Sequence, residues 1–313
     1  MRTAFIDELI RTARENDRIF LVVGDLGYSV VEPFAEEFSR RFLNAGVAEQ
    51  NMTGMAAGLA SEGYHVFIYS IANFPTFRCA EQIRNDVAYH QFPVTIVSVG
   101  GGLAYGSLGY SHHAVQDLAL MRSFPGMLIA CPGDPEETRA CVRFLSAHPR
   151  PSYLRLGKAG EPVVHLRPCD LAVGKILCVQ TGKQTVARNA VLSTGATLHF
   201  ASTALSERDY QQGWALYSLP VWNEQARAAV EQFVAAHDYV ITMEDHLRAG
   251  GFGSFVQECL DDQPALLTRV RCLALTSAVC DQVASQVVLN RLGGLNHDNF
   301  RRLVDGGMPQ SLG

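Results

Sequence analysis

Three groups of side chains have the types and the setting to do chemistry. Glu49 opens a helix directly after the turn Asn44-Ala45-Gly46-Val47-Ala48, and the flank of that helix, through Gly54-Met55-Ala56-Ala57-Gly58-Leu59-Ala60, is built almost wholly from Gly and Ala. The helix dipole favours a carboxylate at such a position, and a face of small residues lets another backbone come close. Phe74 and Phe77, in Ile71-Ala72-Asn73-Phe74-Pro75-Thr76-Phe77, follow directly on a strand pattern, where α/β sheets collect ligands and a flat ring is well held between apolar faces. A place in the core accounts for either ring just as simply. His112 and His113 end the glycine-rich stretch Gly100 to Gly109 and its continuation Tyr110-Ser111. An imidazole there can polarise a carbonyl or carry its proton, a solvated loop being the plainer alternative.

These groups need a scaffold, and the first half of the chain supplies an alternation of helix and strand patterns that implies a largely parallel sheet with helices on both faces. The pattern predicts a helix over Arg2 to Asn16, a strand over Ile19 to Val23, and a loop containing Gly24-Asp25-Leu26-Gly27-Tyr28-Ser29. After the Glu49 helix it predicts a strand over His65 to Tyr69, a helix near Arg78 to Tyr89 and a strand over Val94 to Val99. A helix near Ala114 to Phe124, the strand Met127 to Ala130, the helix Pro135 to Ala147 and the strand Ser152 to Leu156 complete the unit. From Gly157 to about Leu171 the pattern lapses into Gly, Pro and polar residues, which places a boundary there. The expected division is 1–160, a linker 161–172 and a second, shorter α/β unit over 173–313. Ala190 to Ser193, Asn223 to Ala236, Tyr239 to Met243 and a helix after Gly250-Gly251-Phe252-Gly253 are the clearest elements of that second unit.

Composition narrows the function. With 313 residues, 48% hydrophobic and 18% charged, the chain can bury two cores. A net charge of −5 with no basic stripe argues against a nucleic-acid surface. The eight cysteines are scattered without Cys-x-x-Cys or zinc-type spacing, so they are expected to be reduced and mostly buried, and no residue is assigned as a metal ligand. The N-terminal pattern is an amphipathic helix start rather than a signal peptide, and no apolar run spans a bilayer, so a cytoplasmic location without membrane contact is expected.

The string Asn44-Ala45-Gly46-Val47-Ala48-Glu49-Gln50-Asn51-Met52, followed by Gly54-Met55-Ala56-Ala57-Gly58-Leu59-Ala60, resembles the start of the cofactor-activating helix in the transketolase family of thiamine diphosphate enzymes. The resemblance covers nearly the whole chain: the first unit is similar to the family's pyrimidine-binding domain and the second, with Glu244-Asp245-His246 ahead of its Gly-Gly turn, to the C-terminal domain. It implies that Glu49 hydrogen-bonds N1′ of the aminopyrimidine, favouring the imino tautomer that removes the C2 proton, and that Phe74, the better match, and Phe77 hold that ring. It further implies a donor-handling role for His112, with His113 standing where the family usually has Gln. Arg2, Ser29 and Lys158 fall on positions that grip a substrate phosphate, Lys158 replacing an arginine and giving up the bidentate fork. Asp25 falls close to the thiazolium side.

Two departures and one omission shape the functional expectation. Where the family commonly has Gly-Glu-Asp-Gly this chain has Gly106-Ser107-Leu108-Gly109, and Gly100 replaces a histidine. Leaving two donor hydroxyls unpaired would cost about 1–3 kcal/mol each, which points to a deoxy, modified or nucleotide-linked sugar or a small 2-oxo acid as donor. The family's Gly-Asp-Gly motif and downstream Asn, which hold Mg²⁺ and the diphosphate in a separate domain, are not matched by Gly24-Asp25-Leu26. The chain therefore reads as one half of a split transketolase whose partner, an N-terminal-type subunit, brings the diphosphate and Mg²⁺ site, two copies of each chain giving a heterotetramer. The expected activity is transfer of a two-carbon ketol unit to an aldehyde. The alternatives are a beta-type subunit of a 2-oxo acid dehydrogenase or decarboxylase, and a non-catalytic structural or regulatory partner subunit.

Overall fold

The computed structural model describes residues 1–181, 187–206 and 213–306. Its first sheet is built from apolar runs buried on both faces, as a parallel sheet under two helix layers requires. Those runs are β1 (Ile19–Val23), β3 (His65–Ile71), β4 (Val94–Val99), β5 (Leu128–Ala130) and β6 (Ser152–Leu156), while β2 (Phe42–Asn44) is a partly exposed edge strand. All six pair in parallel, in the order β5-β6-β4-β3-β1-β2. The connecting helices are α1 (Arg2–Glu15), α2 (Glu32–Glu37), α3 (Glu49–Ser61), α4 (Ala80–Gln82), α5 (Asp117–Arg122) and α6 (Pro135–Ala147). Helix α6 shows how local chemistry sets a bound: Asp134 accepts the amide of Glu137 at 2.8 Å, and Pro135 fills the first helical position.

The second sheet has the order β12-β11-β8-β9-β7. Its strands are β7 (Leu177–Gln180), β8 (Asn189–Ser193), β9 (Trp214–Ser218), β11 (Tyr239–Leu247) and β12 (Val270–Leu275), parallel except for β7 against β9. Helices α7 (Thr197–Ser206), α8 (Arg227–Ala235), α9 (Phe252–Cys259), α10 (Pro264–Leu267), α11 (Gln286–Leu292) and α12 (His297–Gly306) cover it. Between β9 and α8 the two-residue strand β10 (Val221–Trp222) crosses over and pairs antiparallel with β5, so the first sheet ends on a strand from the second half of the chain.

Several expected bounds shift for physical reasons. The helix expected over Arg78 to Tyr89 is broken into a 3₁₀ turn (Phe77–Cys79), α4 and a π-helical stretch, Ile83–Ala88. Ala114 is drawn out of the helix expected over 114–124 because its amide and carbonyl pair with Gly102. The Tyr239 strand runs on to Leu247 through a bulge after Met243. All eight cysteines are free thiols, and among the described residues no helix is long and apolar enough to cross a membrane.

Candidate active site

In this sheet β2 and β3 lie on opposite sides of β1, so the loops leaving its carboxyl edge diverge and open a crevice. Gly24 and Asp25 leave β1, Glu49 follows β2, Phe74 follows β3 and the Gly100–His113 loop follows β4. Topology alone thus brings four of the sequence-selected segments to one edge.

Glu49 is the first residue of α3 and is 5% exposed. A Cβ added to Gly24 would touch its Cγ at 3.7 Å, together with Met52 Sδ and Ser70 Oγ at 3.6 Å, so Gly24 forms the wall against which the carboxylate lies. Its Oε1 accepts a hydrogen bond from Arg78 Nη1 at 3.0 Å. The Arg78 guanidinium lies over the Phe74 ring, 4.1 Å from its centroid, and the Phe74 ring meets the His112 ring edge-on at 5.3 Å. Burial and then the Arg78 charge and His113 hold the His112 imidazole below its usual range, which favours its uncharged form. Its Nδ1 lies 3.0 Å from Ser111 Oγ. Glu49, Phe74 and His112 are therefore one connected cluster.

The neighbouring residues hold that cluster in place. Asn73 donates through Nδ2 to the carbonyls of Ser111 at 3.1 Å and His113 at 2.9 Å, tying the Phe74 loop to the His112 loop. His113 is buried, with Nε2 3.2 Å from the Gly106 carbonyl and Nδ1 unpaired. Asp25, at φ +53, accepts from Asn44 Nδ2 at 3.0 Å and from the Tyr28 hydroxyl at 3.3 Å. Ser29, also left-handed at φ +62, is exposed and gives its amide to Glu32.

The remaining sequence-selected residues lie apart from the cluster. Phe77 points outward, 45% exposed. Arg2 is half-buried, its Nε without a partner, and its charge opposes the burial that raises the Tyr69 phenol. Lys158 is exposed and lines a cavity of about 180 Å³ with Gly157, Glu161, His199 and Phe200. Met1 links that cavity to the start of α1, its sulfur lying 3.4 Å from the Gly157 amide.

Position 100 has a steric explanation. Gly100 sits at φ +87, and a Cβ there would lie 2.2 Å from the Tyr105 ring; the ring occupies the space that a side chain at 100 would need. Leu108 is more than half exposed at the loop surface. Sequence reasoning missed Arg78 and Asn73. Asn73 carried only the weak signal of a polar residue between a strand and an aromatic; Arg78 carried none, since nothing in its spacing shows that it folds back onto a carboxylate 29 positions away.

The site fits the pyrimidine half of thiamine diphosphate. A buried carboxylate and an aromatic face meet on one planar cationic group, and the buried Ser70 hydroxyl beside them has no partner. Among the described residues, no group of three or more His, Cys, Asp or Glu is placed to hold a metal ion.

The family profile described as transketolase, pyrimidine binding domain, matches residues 1–160. The second subunit of the apulose-4-phosphate transketolase of Phocaeicola vulgatus is 37% identical over 270 residues, covering 84% of each chain. The 6-deoxy-6-sulfo-D-fructose transketolase subunit of a Clostridium species is 30% identical over 86% of this chain and 84% of its own. A solved structure titled split gene transketolase, inactive beta4 tetramer, superposes with a TM-score of 0.82 at 28% identity, covering 98% of this chain and 97% of that one. A family match over half the chain, and two-component relatives aligned over most of their length, lead to one assignment: this chain belongs to the transketolase family of thiamine diphosphate enzymes and corresponds to the second subunit of its split members.

Proposed function

We propose that this chain carries the aminopyrimidine side of a two-component transketolase active site and transfers a two-carbon ketol unit from a modified ketose donor to an aldehyde. The observation that carries the reading is the buried Glu49 carboxylate beside the Phe74 ring at the crevice edge. When bound, the cofactor supplies a nucleophilic carbon that adds to ketones and accepts the charge left as the adjacent carbon–carbon bond breaks. Glu49 would hold a proton against the ring nitrogen of the aminopyrimidine, Phe74 would support that ring, and the neutral His112 would accept or return a proton at a substrate oxygen. Phe77 and Asp25 stand as further cofactor-side residues, Arg2, Ser29 and Lys158 as the anion-facing group, and His113 as the support of the loop.

Gly100, packed against Tyr105, and the exposed, apolar Leu108 offer no polar side chain at the two positions where the family resemblance expects one toward the donor. That favours ketoses altered from the common sugar phosphates, a class that includes the apulose phosphate and sulfofructose named for the two relatives. We assign the Mg²⁺ and diphosphate contacts to a companion subunit, with residues 1–160 and 173–313 as two units joined by 161–172, a heterotetramer as the working assembly and the cytoplasm as its location. The relative solved as an inactive tetramer of beta chains supports the need for that companion.

The test is calorimetric titration of thiamine diphosphate with Mg²⁺ into the chain alone and into its mixture with the companion. Tight binding only in the mixture supports the split site; tight binding by the lone chain overturns it.

A further inference from the structure

The residue that the site does not yet account for is Arg78. Its guanidinium donates to Glu49 Oε1 at 3.0 Å and lies 4.1 Å from the centroid of Phe74, while its carbonyl is held by Gln50 Nε2 at 3.0 Å. It is half exposed, whereas Glu49 is buried. A planar, cationic, hydrogen-bond-donating group thus covers a face of the aromatic ring and donates to the carboxylate, the same two contacts a protonated aminopyrimidine would make. We propose that Arg78 is a placeholder for the aminopyrimidine: in the free chain it fills the ring's position against Glu49 and Phe74, and it must swing out for the cofactor to load. The proposal rests on the reading that Glu49 and Phe74 face the aminopyrimidine.

Three physical points carry it. The covered face of Phe74 cannot hold a second ring while a guanidinium lies over it at 4.1 Å. A ring sharing a proton with Glu49 carries positive charge, and a guanidinium on the same carboxylate would repel it. The half-exposed side chain has a low-cost route outward, because its charge can return to water and its contacts are an ion pair and a cation–π contact of modest strength. The arrangement also answers a problem of the unloaded chain: without a partner, a buried carboxylate would stand beside an apolar ring, and Arg78 satisfies it until the cofactor arrives. The consequence is a competition. Apparent cofactor affinity is lowered by the fraction of chains in which Arg78 is seated.

The experiment titrates thiamine diphosphate with Mg²⁺ into the full chain mixed with its companion subunit. Binding is read by calorimetry and by the near-ultraviolet circular dichroism of the bound aminopyrimidine, for the unaltered chain, Arg78→Gln, Arg78→Met, Glu49→Gln and Phe74→Ala. The expected result is that both Arg78 variants bind about three- to thirtyfold more tightly and load faster, while Glu49→Gln and Phe74→Ala bind more weakly. Unchanged or weaker binding by the Arg78 variants, with Glu49→Gln and Phe74→Ala still weakened, overturns the placeholder and leaves the site reading standing. Unchanged binding by Glu49→Gln and Phe74→Ala overturns the site reading and the placeholder with it. Two Arg78 variants of different polarity guard against a folding defect, and a crystal structure of the loaded complex with Arg78 still on Glu49 would also refute the proposal.

Discussion

At Glu49 and Gly100 the side chain present is set by what stands within a few ångströms. Glu49→Gln keeps the size and the hydrogen-bonding reach but cannot exchange a proton with a ring nitrogen. We expect turnover of the assembled enzyme to fall by about 100-fold or more, with the melting temperature of the chain little changed; a smaller loss would remove Glu49 from the chemistry. At Gly100 the argument is steric. Gly100→His, which would restore the family's residue type, places Cβ 2.2 Å from the Tyr105 ring at a φ of +87, so it is expected to destabilise the chain by about 1–3 kcal/mol in urea denaturation. Adding Tyr105→Ala should return only part of that, since the left-handed backbone strain remains. A full return would show that the ring alone excludes a side chain there.

Among the elements, β1, β4, β6 and α6 were legible to the residue because each is an apolar or amphipathic run closed by strong punctuation, such as Pro151 before β6 and Asp134-Pro135 before α6. The strand β10 was not, since two residues carry no period, and the π-helical stretch Ile83–Ala88 has the composition of an ordinary helix. In the site, Glu49, Phe74 and His112 were chosen on a family resemblance, with the place of Phe74 just after a strand as added support; Arg78 depends on how a side chain folds back, which no local pattern records. The small-residue face of α3 makes its own prediction: a Cβ at Gly54 or Gly58 meets nothing within 4 Å in this chain, and both are exposed. Gly58→Leu is therefore expected to leave the chain folded, even slightly more stable through helix propensity, while weakening assembly in analytical ultracentrifugation. Intact assembly would show that no other chain packs closely against this face. The start of β3 adds a pH effect. His65 is buried, its Nε2 2.8 Å from Thr95 Oγ1, and burial pushes its imidazole down to about 3 from an ordinary 6.5. The unfolded chain binds this proton first as pH falls, so the contribution is complete above the ordinary value and is lost on acidification between the two. The loss should be about 1.4 kcal/mol per pH unit in that window, and His65→Gln should flatten the slope in urea titrations at successive pH values.

Across the whole molecule, the two sheets are bolted together by a buried arginine, and the bolt bears on the loop that carries His112. Arg155, in the middle of β6, donates through Nε to Asp117 Oδ2 at 2.7 Å and through Nη1 to Asp245 Oδ1, on β11 of the second sheet, at 2.5 Å. Its Nη2 donates to the Ala114 carbonyl at 2.8 Å, and Tyr153 donates to the same Asp117 oxygen at 2.6 Å. Ala114 pairs with Gly102 at the base of the loop that carries His112, and a Cβ at Gly102 would strike the Asp245 carboxylate. The loop that carries His112 is therefore cast against the second sheet through one network of buried charges. Removing Arg155 alone leaves two carboxylates in the interior without their counter-charge, so Arg155→Met should cost about 3–5 kcal/mol, read by urea denaturation of the full chain. Neutralising both partners as well, in Asp117→Asn/Arg155→Met/Asp245→Asn, removes the stranded charge and should recover more than half of that loss, although the polar amides keep some desolvation cost. If the triple variant is no more stable than Arg155→Met, charge pairing is not what joins the halves, and the apolar contact around β10 must carry the union instead.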